Sequence, residues 1–164
     1  MGGGRLIAES SRDFKMVIGI DIHSENLMVE NYLNECGVNN YELFNVSQKN
    51  KISDKSVDYV YSFIVFQHFK NYKLVIEELL FIKRILKPKG ICHIYFAKTN
   101  DKQTYNNLPI YNPRQRNMFI NPTYFRKDIS KYFTIIDYED KVPKSIIDNK
   151  KEAGQAMIIF TAKE

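Results

Sequence analysis

Three consecutive glycines, Gly2, Gly3 and Gly4, stand directly before a short apolar segment, Leu6-Ile7-Ala8, that reads as the start of a helix. Asp21 follows at the end of a β-branched run. Glycines at a turn into a helix let a ligand come close to backbone N–H groups, and a carboxylate about 20 residues on can accept hydrogen bonds from both hydroxyls of a ribose. The glycines alone would equally suit a frayed terminus. Asp21, ending the right kind of strand at the right distance, makes the pair read as two halves of a nucleoside pocket. A dinucleotide fingerprint needs another glycine three residues after Gly4, where this chain has Ile7, so nicotinamide cofactors are disfavoured.

His68 is the foremost candidate for proton transfer, because an imidazole titrates near neutrality. The same position could instead orient its loop or cap the next helix. His23, beside Asp21, borders the expected ribose, and His93 lies inside a strand as a packed or surface residue. Phe66 and Gln67 face the same crevice as Ser62 and Phe63 at the end of the third strand, although ordinary packing would also place aromatics there. Tyr105, Tyr111, Arg114 and Arg116 fall in a long segment without periodicity, residues 98–121, where they could clamp an anionic or sugar acceptor. A solvated loop would use the same residue types.

The elements that must hold these groups alternate in kind. Residues 16–22 form a continuous apolar run, as in a strand buried on both faces. A helix follows, capped by Ser24, with Met28, Val29, Tyr32, Leu33 and Cys36 on one stripe and Gly37 as its stop. Residues 41–46 read as a second strand, 49–56 as a polar turn and 57–64 as a third strand. The roughly fourteen residues from Tyr72 form a second amphipathic helix with Val75, Leu79, Ile82 and Leu86 inward. Pro88 and Gly90 punctuate it before a fourth strand, residues 91–97. Asn121 and Pro122 then open a helix that buries Phe125, Ile129 and Phe133. Two last strands, 134–138 and 156–162, have no crossover helix between them and should pair antiparallel. This alternation predicts an α/β fold on a mostly parallel sheet.

With 164 residues the chain is long enough for a single domain spanning 1–164, and its 11 Tyr and 11 Phe exclude global disorder. No apolar run approaches the roughly 18 residues of a membrane span. A soluble, cytoplasmic protein is therefore expected, with no membrane partner. Cys36 and Cys92 lack a CxxC spacing or a His cluster, which argues against a zinc site or a disulfide framework and for two buried thiols. The net charge of +5 comes from scattered lysines, so no nucleic-acid partner is expected.

In order along the chain, Gly2-Gly3-Gly4-Arg5, Gly19-Ile20-Asp21-Ile22-His23-Ser24, Ser56-Val57-Asp58-Tyr59-Val60, Phe66-Gln67-His68 and Arg84-Ile85-Leu86-Lys87-Pro88-Lys89-Gly90 resemble the successive motifs of class I S-adenosylmethionine-dependent methyltransferases. The resemblance implies a Rossmann-like sheet with an antiparallel last strand and S-adenosyl-L-methionine as cofactor. It implies further that Gly2 and Gly4 wrap the methionine end, that Asp21 with Ile22 holds the ribose, and that Asn45 with Val46 meets adenine. Ser62 and Phe63 would lie near the methionine moiety or the acceptor, with His68 as the catalytic candidate.

Two departures from the family pattern carry expectations of their own. Asn45 stands where an acidic residue is common, and its side-chain carbonyl can accept the adenine amino group in the same way. The family's first central strand should precede Gly2, and here the chain begins inside that motif. The expected result is a truncated fold in which the strands at 16–22 and 57–64 have open edges or pair directly. Ladder bonds worth about 1 kcal/mol each are then lost or rearranged. The implied function is methyl transfer to a small-molecule or glycan-type acceptor; the alternative is a non-catalytic remnant or partner subunit of the same fold.

Overall fold

The computed structural model describes residues 2–22, 26–99, 110–112, 117–140 and 153–163. These fall into two compact units, Met1–Ser53 and Asp54–Glu164.

In the first unit Gly4, at φ 85°, turns the chain into helix α1 (Arg5–Ser10). Strand β1 (Val17–Asp21), helix α2 (Leu27–Glu35) and strand β2 (Tyr41–Asn45) follow. The two strands are parallel and in register from Val17 opposite Tyr41 to Asp21 opposite Asn45. Asn40 donates from Nδ2 to the carbonyls of Ser11 (3.0 Å) and Phe14 (2.8 Å), tying the turn after α1 to the start of β2. The core consists of Ile7, Ala8, Val29, Leu33 and Val38.

The helical stripe is narrower here than the sequence suggests. Val29 and Leu33 are buried, whereas Met28 is 84% exposed and Cys36 is a surface thiol rather than a buried one. In this nine-residue helix of about two and a half turns, Val29 and Leu33, four residues apart on one face, are the positions pressed inward. The expected cap Ser24 lies outside the described residues. The segment read as a polar turn is partly a 3-10 helix, Val46–Lys51, opened by a capping box: the Asn45 side chain accepts from Ser47 N, and Gln48 Oε1 accepts from Asn45 N at 3.0 Å.

The second unit holds strand β3 (Val57–Ser62), helix α3 (Tyr72–Ile85), strand β4 (Leu86–Thr99) and short strands β5 (Ile110–Asn112) and β6 (Asn117–Phe119). Helix α4 (Pro122–Tyr132) and strands β7 (Phe133–Glu139) and β8 (Ala153–Ala162) complete it. The four-stranded sheet runs β3-β4-β8-β7, with β3 parallel to β4 and β8 antiparallel to both its neighbours. The expected antiparallel last strand is therefore present. Among the described residues β1 ladders with β2 alone and β3 with β4 alone, so each keeps one open edge.

Helices α3 and α4 were expected where they occur. Asn71 and Asn121 cap them, accepting from Leu74 N (3.1 Å) and Thr123 N (2.9 Å). They cover one face of the sheet, where Phe66, Leu79, Ile94, Phe96, Phe125, Ile129, Phe133 and Phe160 are all under 2% exposed.

β4 starts five residues before the expected position. Val57 pairs with Leu86 and Tyr59 with Ile91, so Asp58 alone faces the four residues Lys87–Gly90. That bulge absorbs Pro88 and a Lys89 at φ 65°, and the Lys87 ammonium holds Asp58 at 2.7 Å across it. β5 and β6 form an antiparallel pair inside the segment expected to be irregular.

Candidate cofactor site

Asp21 is the last residue of β1, and its carboxylate is held by two backbone amides. Ile22 N–H donates to Oδ1 at 2.7 Å, and Gly2 N–H donates to Oδ2 at 2.9 Å across a separation of nineteen residues. The glycine loop and the acidic strand end thus meet, as their spacing predicted. Gly4 is fixed in this loop by sterics: its φ of 85° is costly for any other residue, and a Cβ would sit 2.9 Å from Val29 Cγ1 and 3.3 Å from Tyr32 Cδ1. A loop stripped of side chains beside an acceptor-only carboxylate fits a ligand that presents hydroxyl donors, such as a ribose.

Asn45 ends β2 opposite Asp21. Its Nδ2 donates to the Ile22 carbonyl at 3.0 Å, and its Oδ1 accepts from Ser47 N at 2.9 Å and Ser47 Oγ at 2.8 Å. A carbonyl oxygen has two lone pairs, so taking an adenine amino group as well would require one contact with Ser47 to give way. Val46 follows at the start of the 3-10 turn, 40% exposed, and Ile22 is 76% exposed. Gly2, Gly4, Asp21, Ile22, Asn45 and Val46 are therefore all in the first unit, and hydrogen bonds join four of them directly. His23 lies outside the described residues.

The remaining candidates belong to the second unit. Ser62 ends β3, and Phe63 follows, 44% exposed, with its ring parallel to Tyr61 at 6.5 Å and edge-on to Tyr95 at 5.3 Å. His68 closes a 3-10 turn, Phe66–His68, with its amide bonded to the Val65 carbonyl at 2.9 Å and its side chain exposed. Phe66 is buried in the core and packs edge-on to Phe69, and Gln67 is only 9% exposed, so neither faces a crevice as expected. His93 is packed, its Nδ1 lying 3.1 Å from the Tyr59 hydroxyl. Tyr105, Arg114 and Arg116 and the side chain of Tyr111 lie outside the described residues.

One polar cluster escaped the sequence reading. Lys98, with its side chain 4% exposed, forms an ion pair with Asp140 at 2.8 Å, and Tyr138 donates to the same carboxylate beneath the Arg126 guanidinium. The signal was available: Lys98 continues the inward, every-second-residue series of Cys92, Ile94 and Phe96. Burial alone would raise the Asp140 pKa, but hydrogen bonds from Lys98 and Tyr138 outweigh it and hold the carboxyl below its usual value. Burial, then the bond to Asp140, pushes Tyr138 up. The Cys92 thiol is likewise pushed up by burial. Among the described residues no cluster of His, Cys, Asp or Glu could hold a metal, and no helix is long and apolar enough to cross a membrane.

Known structures share the fold. A S-adenosylmethionine-dependent methyltransferase from Methanosarcina mazei matches with a TM-score of 0.72 at 16% identity, over 99% of this chain and 90% of its own. The N-methyltransferase NodS of Bradyrhizobium japonicum, in complex with S-adenosyl-L-homocysteine, matches at 0.68 and 9%, over 99% and 74%. The [4+2]-cyclase SpnF matches at 0.77 and 14%, over 98% and 72%. Among curated proteins no sequence relative is found. The family described as "Methyltransferase domain" matches residues 1–94, more than half of the sequence and the whole stretch from the glycine loop to β4. The chain belongs to this methyltransferase-domain family.

Proposed function

We propose that the protein transfers a methyl group from S-adenosyl-L-methionine to a small-molecule or glycan-type acceptor. The observation that carries the reading is the 2.9 Å contact between Gly2 N–H and the Asp21 carboxylate. It sets a side-chain-free loop next to a group built to receive hydroxyls. About four lone-pair sites on a carboxylate give Asp21 the capacity to take ribose hydroxyls beside the backbone amides. Gly2 and Gly4 leave room for the methionine end, and Ile22 and the Val46 backbone border the base.

When bound, the cofactor supplies a methyl group on a positively charged sulfur, ready for direct displacement. The chain's own contribution is positional, since in-line alignment of the acceptor accounts for most of the rate in such a displacement. Ser62 and Phe63, at the carboxyl end of β3, are assigned to the methionine moiety or the acceptor. His68 is assigned the proton of an acceptor that must lose one. A second reading, a member of the fold that does not methylate, is favoured by the match to a cyclase, because a shared fold does not fix the reaction.

Calorimetric titration with S-adenosyl-L-homocysteine tests the proposal. Micromolar binding that weakens by more than tenfold in Asp21→Ala supports it. A folded protein that binds none overturns it in favour of the second reading.

A further inference from the structure

Asn45 does more in the first unit than end a strand. Where β2 turns into the 3-10 helix, Ser47 N–H bonds to Asn45 Oδ1 rather than to the neighbouring strand. The Ile22 carbonyl, one step beyond the last β1-β2 pair, receives the Asn45 side-chain amide in place of a backbone N–H. A side chain therefore adds one rung to the ladder. Ile22 is thereby held from both sides, its carbonyl by Asn45 Nδ2 and its own N–H by Asp21 Oδ1. The other oxygen of that carboxylate bonds to Gly2 N–H. The contacts run without a break from Ser47 through Asn45, Ile22 and Asp21 to Gly2, joining three separate stretches of chain.

We infer that Asn45 is a positioning residue that sets the aim of the Asp21 carboxylate, and does not read the adenine base. The inference rests on the methyl-donor reading for the ligand it names. Asparagine is the residue this role requires, because one planar head must accept from Ser47 and donate to Ile22 at once. Aspartate at this position would keep the first contact, lose the second and turn an oxygen toward the Ile22 carbonyl. Alanine loses both. Through Ile22 and Asp21 the effect reaches the ribose hydroxyls, so it must weaken ribose contacts more than contacts to the base.

The test titrates wild type, Asn45→Ala, Asn45→Asp, Asp21→Ala and the Asp21→Ala/Asn45→Ala double variant with S-adenosyl-L-homocysteine and with its 2′,3′-dideoxy analogue. Amide hydrogen exchange at Ile22 is followed in parallel. Expected are a loss of about tenfold for the hydroxylated ligand in both Asn45 variants, consistent with one good hydrogen bond. Affinity for the dideoxy ligand should stay within about twofold, the double variant should be no weaker than Asp21→Ala, and Ile22 should exchange faster in both Asn45 variants. Equal losses for both ligands, or additive losses in the double variant, would overturn the positioning role while leaving the methyl-donor reading intact. If wild type binds neither ligand, the methyl-donor reading and the ligand-directed inference fall together. Unchanged Ile22 exchange removes the clamp itself, whatever the ligand does. Asn45→Asp keeps the Ser47 cap and so remains informative if Asn45→Ala does not fold.

Discussion

The two units divide structure and chemistry unequally. In the second, aromatic rings interlock beneath α3 and α4: Phe96 and Phe125 lie 4.7 Å apart, Phe133 and Phe160 4.5 Å, and Phe66 and Phe125 6.1 Å. In the first, five residues with no aromatic ring among them make the buried core. Yet the first unit carries six of the residues assigned to the cofactor, four of them joined by side-chain hydrogen bonds. A lean core ordered by polar contacts opens locally at lower free energy than an interlocked one. The contrast sets the proposed ribose and base contacts within residues 2–53 and predicts that global stability rests mainly on residues 54–164.

The largest test of that contrast is Phe125→Ala. Removing a fully buried ring that touches two others should cost about 3–5 kcal/mol, read as a fall in urea midpoint for the whole transition. If only the second unit's signals shift, the two regions unfold separately. Leu33→Ala comes next, with an expected cost of about 2–4 kcal/mol. Leu33 is fully buried between α1 and the strands of the first unit. Amide exchange should accelerate through β1 and β2 while the β4-β8 ladder keeps its protection, and equal acceleration in both would erase the distinction.

The smallest effect sharpens the comparison at a polar point of the second unit. Asp140→Asn strands a buried Lys98 ammonium, whereas Lys98→Met leaves a carboxylate that is nearly half exposed, so the first should destabilise more, by roughly 1–3 kcal/mol against under about 1. The pH dependence has a definite sign. Asp140 titrates lower when folded than its ordinary 3.8, so its stabilisation is complete well above that value and is lost as pH falls through the depressed folded pKa. Lys98→Met should flatten that acid limb in thermal melts taken between pH 5 and 2.

The legible parts of the fold were those written in local signals. Asn121 followed by Pro122 announces α4, and the 3.6-residue repeat of Val75, Leu79 and Ile82 announces α3. Pro88 and Gly90 misled for a physical reason: they look like a stop, but here they form the bulge opposite Asp58, and only the pairing partner reveals that. β5 and β6, three residues each, are too short for any periodicity to register. In the site, Gly2, Gly4 and Asp21 could be chosen by type and spacing. The donor role of Asn45 could not, because it depends on the register that sets Asp21 opposite Asn45. The capping box from Asn45 to Gln48 was a local signal that could have located the turn.

The unequal placement of the two thiols offers an experimental handle. Cys92 is sealed inside β4, whereas Cys36 stands at the surface where α2 ends. A maleimide fluorophore added to the native protein should therefore mark one sulfur per molecule, on the side of the chain that holds Asp21. Its emission would report on the lean unit that carries it, with no engineered cysteine needed.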